Sequence, residues 1–149
     1  MYCKKYDVDV KAKKCSFNCT ECLRTALDKV GTFERDEQSL LIEWCEMMSA
    51  RFPQLSMMYH IPNGGSRNKV EAANLKKQGV KPGVPDLCLP VASRGYHGLY
   101  IEMKTKNGTT SQHQKKWIAN LREQGYVAKV CHGFEDAKNL ICRYLQLEG

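Results

Sequence analysis

The stretch that most constrains this sequence is Leu99 to Cys131, which reads as strand, helix and strand in direct succession. Leu99-Tyr-Ile-Glu-Met-Lys104 alternates apolar and polar side chains with the period of two that a half-covered strand requires, and Asn107-Gly108 closes it. Ser111 supplies the hydroxyl of a helix N-cap, after which Trp117, Ile118 and Leu121 recur at helical spacing up to Gly125. Tyr126 to Cys131 then returns as a strand. Such a succession is a crossover unit, and it predicts an α/β domain with a mixed sheet and helices on its faces.

The flanking sequence fits around that unit. Thr32 can cap a helix over about 33–52, in which Phe33, Leu40, Leu41, Trp44, Met48 and Phe52 recur at helical spacing until Pro53. A short strand is expected over Ser56 to His60, then a loop, Ile61-Pro-Asn-Gly-Gly-Ser-Arg67, rich in residues that tolerate positive φ. Val70 to Gln78 makes a short helix closed by Gly79. Pro82 and Pro85 bracket a turn into a strand from Asp86 to Val91, with Leu87, Leu89 and Val91 on one side, and Glu135 to Leu147 forms a last helix. Residues 1–31 stand apart, with seven Lys or Arg, four Cys and no clean period, and read as a Cys-rich basic arm on a domain spanning 32–149.

Charge narrows the function. Lys and Arg total 23 against 16 Asp and Glu, a formal +7, which favours a polyanionic partner. No stretch approaches the roughly 20 apolar residues that span a bilayer, and the charged N-terminus has no apolar signal region. The expectation is an intracellular protein away from membranes: cytoplasmic or nucleoid-associated, or in the host cytoplasm for a viral chain. In that setting eight Cys read as reduced thiols or metal ligands rather than disulfides.

Period two puts Glu102 and Lys104 on one face of their strand, opposite Leu99, Ile101 and Met103. If the preceding strand pairs with it as a hairpin, Asp86 comes near Glu102. Two carboxylates and a lysine at a sheet end suit metal-assisted attack on a phosphodiester, because hard divalent cations take carboxylate oxygens and acidify bound water. On spacing alone, the same residues also make an ordinary solvated strand face.

Their company is more specific. Glu34 with Gln38, Ile61-Pro-Asn-Gly-Gly with Arg67, Leu75-Lys-Lys-Gln-Gly79, Gly83-Val-Pro-Asp-Leu87, Ile101-Glu-Met-Lys104, and Ser111-Gln-His-Gln114 with Trp117 follow one another in order. Pro85-Asp86 with Glu102-Met-Lys104 resembles the PD-(D/E)XK nuclease signature, and the whole set, over about 32–147, resembles its VRR-NUC branch. The resemblance implies a restriction-endonuclease-like core and a Mg²⁺- or Mn²⁺-dependent endonuclease acting on DNA. It implies Asp86 and Glu102 as metal-binding carboxylates, Lys104 as the catalytic lysine and Gln114 as a supporting residue. It also favours Glu34 as the first-helix ligand, whereas helical phase puts Glu37 nearer the centre of the apolar stripe. Stand-alone members resemble Holliday-junction resolvases, which implies a homodimer cutting branched DNA.

Asn63, Gly64, Gly65 and Arg67, with Lys69, Lys76 and Lys77, are the candidate DNA contacts, since between His60 and Pro82 five Lys or Arg face a single Glu. His60 and His113 are expected in hydrogen bonds or at the surface, and Trp44 and Trp117 in the core. Cys3, Cys15, Cys19 and Cys22 could hold structural Zn²⁺, could hold an iron–sulfur cluster, or could be unligated. Their spacing also resembles a radical-SAM signature, but 149 residues are too few for that barrel. Cys45, Cys88, Cys131 and Cys142 fall at apolar positions and read as small core residues. Two other functional classes stay open: a non-catalytic DNA-binding module on a nuclease fold, and a regulatory protein acting through its arm.

Overall fold

A computed structural model describes residues 2–3, 8–9, 34–63 and 69–147. In the arm, β1 (Tyr2–Cys3) pairs antiparallel with β2 (Val8–Asp9), a pairing that no sequence period announces. Cys15, Cys19 and Cys22 lie outside the described residues, as do Thr32, Phe33 and the side chain of Cys3.

Helix α1 (Glu34–Met48) buries the stripe that its periodicity predicts: Leu41, Trp44 and Cys45 are buried, with Leu40 and Met48 packed beside them. Burial of each large apolar side chain contributes roughly 1.5–3 kcal/mol. The helix stops at Met48 rather than near 52, because the amides of Ser49, Arg51 and Phe52 fold back onto carbonyls of the last turns. Phe52 still packs on the core from that turn. The strand expected from Ser56 is a second departure. Pro53–Met57 is a 3-10 helix in which the Ser56 hydroxyl donates to Pro53 O at 2.7 Å, leaving only β3 (Tyr59–His60) extended.

Helix α2 (Lys69–Lys77) is followed by β4 (Leu87–Leu89), shorter than expected because Pro90 has no N–H to extend the ladder. Strand β5 (Leu99–Lys104), helix α3 (Gln112–Glu123) and β6 (Val127–His132) form the crossover unit, and α4 (Phe134–Leu145) ends where Gln146 turns left-handed at φ 56°. The sheet runs β3-β4-β5-β6, antiparallel except for the β5–β6 pair, so it is mixed as the sequence predicts.

Its two faces differ. Leu87, Leu89, Leu99, Ile101, Met103 and Cys131 pack with α1 and α4 into the main core. On the other face α3 places Ile118 and Leu121 against Ala128, with Tyr100, Trp117, Tyr126 and Val130 partly buried around them. Trp44 is thus a core residue, and Trp117 packs on the smaller cluster. Cys45, Cys88 and Cys131 are buried and unbridged, Cys142 half-buried. Burial pushes the Cys45 and Cys131 thiols up to about 12, which keeps them protonated and inert. Among the described residues no helix is long and apolar enough to cross a membrane.

Candidate active site

The β4–β5 hairpin brings the two sequence-distant carboxylates together. Leu87 pairs with Ile101, so Asp86, one residue before β4, falls opposite Glu102. Asp86 Oδ2 accepts the Met103 amide at 2.9 Å, which fixes the carboxylate across the strand. The main chain of Asp86 is held from the other side, where its carbonyl accepts Ile61 N–H at 2.7 Å and lies 2.9 Å from His60 Nδ1. Gln38 Nε2 lies 2.9 Å from the same ring nitrogen. That nitrogen donates to the carbonyl when protonated and accepts from the glutamine amide when not, so the exposed His60 ring serves one of the two at a time.

Glu102 is fully buried, an unusual position for a carboxylate. Its Oε1 receives Lys104 Nζ at 2.8 Å and the Gln114 side-chain amide. Gln114 is held for this by a capping box. Its main-chain N–H donates to Ser111 Oγ at 3.2 Å, and its Oε1 accepts Ser111 N–H at 2.8 Å, leaving Nε2 to point at Glu102. The turn before Asp86 is packed against the same helix end. Gly83 has φ +84°, and a β-carbon there would stand 2.6 Å from the His113 carbonyl carbon, so Gly83 lets the Gly-Val-Pro-Asp turn and α3 close on one point. His113 itself is exposed.

The second Glu102 oxygen, Oε2, is buried with no hydrogen-bond partner. Burial raises the Glu102 pKa to about 7; the Lys104 ammonium pulls it down, while Asp86 pushes it up through its charge and through a side-chain hydrogen bond that only the protonated acid can make, the ionised carboxylate having no donor at Oε2. Two facing carboxylates of this kind need a shared proton or a cation between them. Carboxylate oxygens from Asp86 and Glu102, one of them lacking a donor, are of the kind that could hold a hard divalent ion. Among the described residues no three of His, Cys, Asp and Glu gather into a metal cluster. Glu34 opens α1, but its side chain lies outside the described residues.

Glu37 is placed elsewhere. Its Oε2 accepts the main-chain N–H of Phe134, the first residue of α4, whose N-cap Gly133 offers no side chain. Gly133 has φ +89°, and a β-carbon there would collide with that oxygen at 2.5 Å. Helical phase points Glu37 toward the apolar stripe; the side chain is half-buried there and caps another helix.

Of the candidate DNA contacts, Asn63 donates through Nδ2 to Val84 O at 2.9 Å and ties its loop to the Asp86 turn. Lys76 and Lys77 are exposed in the last turn of α2. Gly64, Gly65 and Arg67, and the Lys69 side chain, lie outside the described residues. No local pattern announces that the His60 ring lies within reach of both Gln38 and the Asp86 carbonyl. Thr109, Thr110 and His132 line a pocket beside the site, and no motif of the sequence marks them.

The VRR-NUC domain family matches residues 30–135, and the chain belongs to it. A solved structure described as a VRR_NUC domain protein is similar at 33% identity, with a TM-score of 0.67, over 78% of this chain and 91% of that one. No curated protein matches the chain. The domain is thus of nuclease type, which suggests DNA as its substrate.

Proposed function

We propose that this protein is a Mg²⁺- or Mn²⁺-dependent deoxyribonuclease hydrolysing phosphodiester bonds at the Asp86–Glu102–Lys104 centre. One observation carries the reading: the wholly buried Glu102 has one oxygen held by Lys104 and Gln114 and the other without a partner beside Asp86. Asp86 and Glu102, joined by Glu34, would hold the cation. When bound, it would acidify a water and polarise the phosphoryl oxygen.

The chain's own groups do the rest. Gln114 fixes the Glu102 carboxylate, the Met103 amide fixes that of Asp86, and Lys104 places a point charge 2.8 Å from Glu102 Oε1. That charge orients the attacking water and offsets the negative charge growing on the phosphate as the new oxygen–phosphorus bond forms and the bond to a 3′ or 5′ oxygen breaks. A branched substrate such as a Holliday junction, cut by a homodimer, is the finer reading. One carboxylate centre cuts one strand, so paired incision across a junction takes two copies.

The test incubates purified protein with four-way junction, flap, single-stranded and linear duplex DNA, in Mg²⁺, Mn²⁺ or EDTA, beside light scattering of its solution mass. Metal-dependent cutting is expected, fastest on the junction and by a dimer. Binding without cutting in either metal would make the protein a non-catalytic module. Equal rates on all four DNAs would remove the branched preference.

A further inference from the structure

The reactive face of the sheet continues one strand beyond Glu102 and Lys104. Glu102 pairs with Val130 and Lys104 with His132, so these β6 side chains stand beside them on the same face. There an open pocket of about 310 Å³ is lined by Gly108, Thr109, Thr110, Lys115, Val130 and His132. Its described lining offers two hydroxyls, an ammonium and an imidazole, and no carboxylate. His132 Nδ1 lies 3.0 Å from Thr105 O; a carbonyl only accepts, so Nδ1 carries a proton and Nε2 is left for another partner. The Asp136 carboxylate is engaged with the His132 main-chain N–H at 3.0 Å, which pins the strand end.

Charge divides the two neighbouring sites. The centre at Asp86 and Glu102 sets two carboxylates against one lysine and cannot by itself attract a phosphodiester. The pocket next to it presents donors and positive charge. Since Val130 and His132 pair with Glu102 and Lys104 on the adjacent strand, a phosphate in the pocket would neighbour one held over Glu102 on the same backbone.

We propose that this pocket is a subsite for a backbone phosphate of the nucleic-acid substrate flanking the scissile one, with Lys115 as its main contact and Thr109 and Thr110 as further donors. The inference rests on the nuclease reading above, for which it supplies substrate register.

The experiment measures binding in EDTA, so it needs no cleavage. Junction and duplex oligonucleotides carrying one neutral methylphosphonate at each successive position are titrated, by fluorescence anisotropy, against the wild-type protein and against Lys115→Ala, Lys115→Arg and Thr110→Val. Lys115 is exposed, so its variants should fold, with circular dichroism as the check. On unmodified DNA, Lys115→Ala should weaken binding roughly tenfold and lower the salt slope by about one, with Lys115→Arg restoring both. One methylphosphonate position should weaken wild-type binding as much and cost Lys115→Ala less than about twofold more. Thr110→Val should shrink that same position's effect. The absence of any position whose effect depends on residue 115, or unchanged affinity and salt slope in Lys115→Ala, would overturn the subsite. Cutting without this coupling leaves the nuclease reading standing and removes the subsite; coupling without cutting in any metal does the reverse.

Discussion

On the face of the sheet covered by α1 and α4, Glu37 carries a carboxylate on the same helical stripe as Leu41, Trp44 and Cys45, and its Oε2 accepts the Phe134 N–H. On the face covered by α3, Glu102 carries one at the end of β5, and its Oε2 has no partner. Both are acids where apolar residues would be cheaper. The first is settled by a helix N-terminus, whose free amides and dipole favour negative charge, so it holds two helices together and asks for nothing else. The second is left unsettled, with its pKa pushed up to about 7, and that unmet demand is what a cation or a proton can fill. Burial of an acid thus marks chemistry only where its hydrogen bonds are incomplete.

The largest test of this contrast is loss of the unsettled side. Asp86→Asn, Glu102→Gln and Lys104→Ala should each slow metal-dependent cleavage by about 10³-fold or more, since each removes several kcal/mol of charge stabilisation and about 1.4 kcal/mol is tenfold in rate. Folding and most DNA affinity should persist. Near wild-type cutting by folded Asp86→Asn would end the assignment of this centre.

The settled side should respond in the opposite currency. Glu37→Ala removes a cap and should cost about 1–2 kcal/mol of stability, read as a drop of several degrees in Tm, with cleavage rates of the folded protein nearly unchanged. Glu37→Gln keeps an acceptor and should cost less. Glu34→Gln, by contrast, should impair cutting more than Glu37→Gln across a Mg²⁺ titration. The reverse order would make Glu37 the metal ligand and its cap incidental.

How much of this the sequence discloses follows from the range of the forces involved. The alternation of Leu99 to Lys104 places Glu102 and Lys104 opposite the core residues as found, and Ser111 caps α3 as found, because both signals are written in adjacent residues. Asp86 opposite Glu102 needs only the assumption of a hairpin, since 16 residues separate them. The Glu37 cap joins residues 97 apart, and no local period announces it. The strand expected over Ser56 to His60 fails for the converse reason: i to i+3 hydrogen bonds after Pro53 capture the backbone before the sheet does. The Oε2 of Glu102 could not be read at all, because an absent partner is a property of the packed face and not of any residue in it.

A subtler effect sharpens the contrast through pH. Folded Glu102 titrates near 7, above the ordinary carboxylate value of 4.5, because burial opposes its charge. Through that window the folded protein keeps a proton that the unfolded chain has released, so the stability Glu102 contributes is complete below the ordinary value and is lost as pH rises through about 7. Urea unfolding in EDTA should therefore show the wild type losing stability relative to Glu102→Gln between pH 5 and pH 8. Saturating Mg²⁺ should reduce that difference. An identical difference at both pH values would mean that Glu102 is ionised throughout and that its burial costs the fold nothing titratable.

The smallest effects separate the two duties of the α3 capping box. Ser111→Ala loses the hydroxyl that accepts Gln114 N–H, which should cost about 1 kcal/mol of stability. The residue 111 main-chain N–H still donates to Gln114 Oε1 in that variant, so the carboxamide stays aimed at Glu102. Cleavage should then fall by less than about twofold, since no group touching Glu102 has changed. Gln114→Ala keeps the Ser111 cap and instead removes the donor from Glu102 Oε1, leaving Lys104 alone to hold the carboxylate. It should lower kcat roughly tenfold, with a smaller change in Tm than Ser111→Ala. Equal kinetic losses in the two variants would show that the cap acts on the centre as a unit. A loss confined to Ser111→Ala would show that Gln114 serves the helix and not the carboxylate.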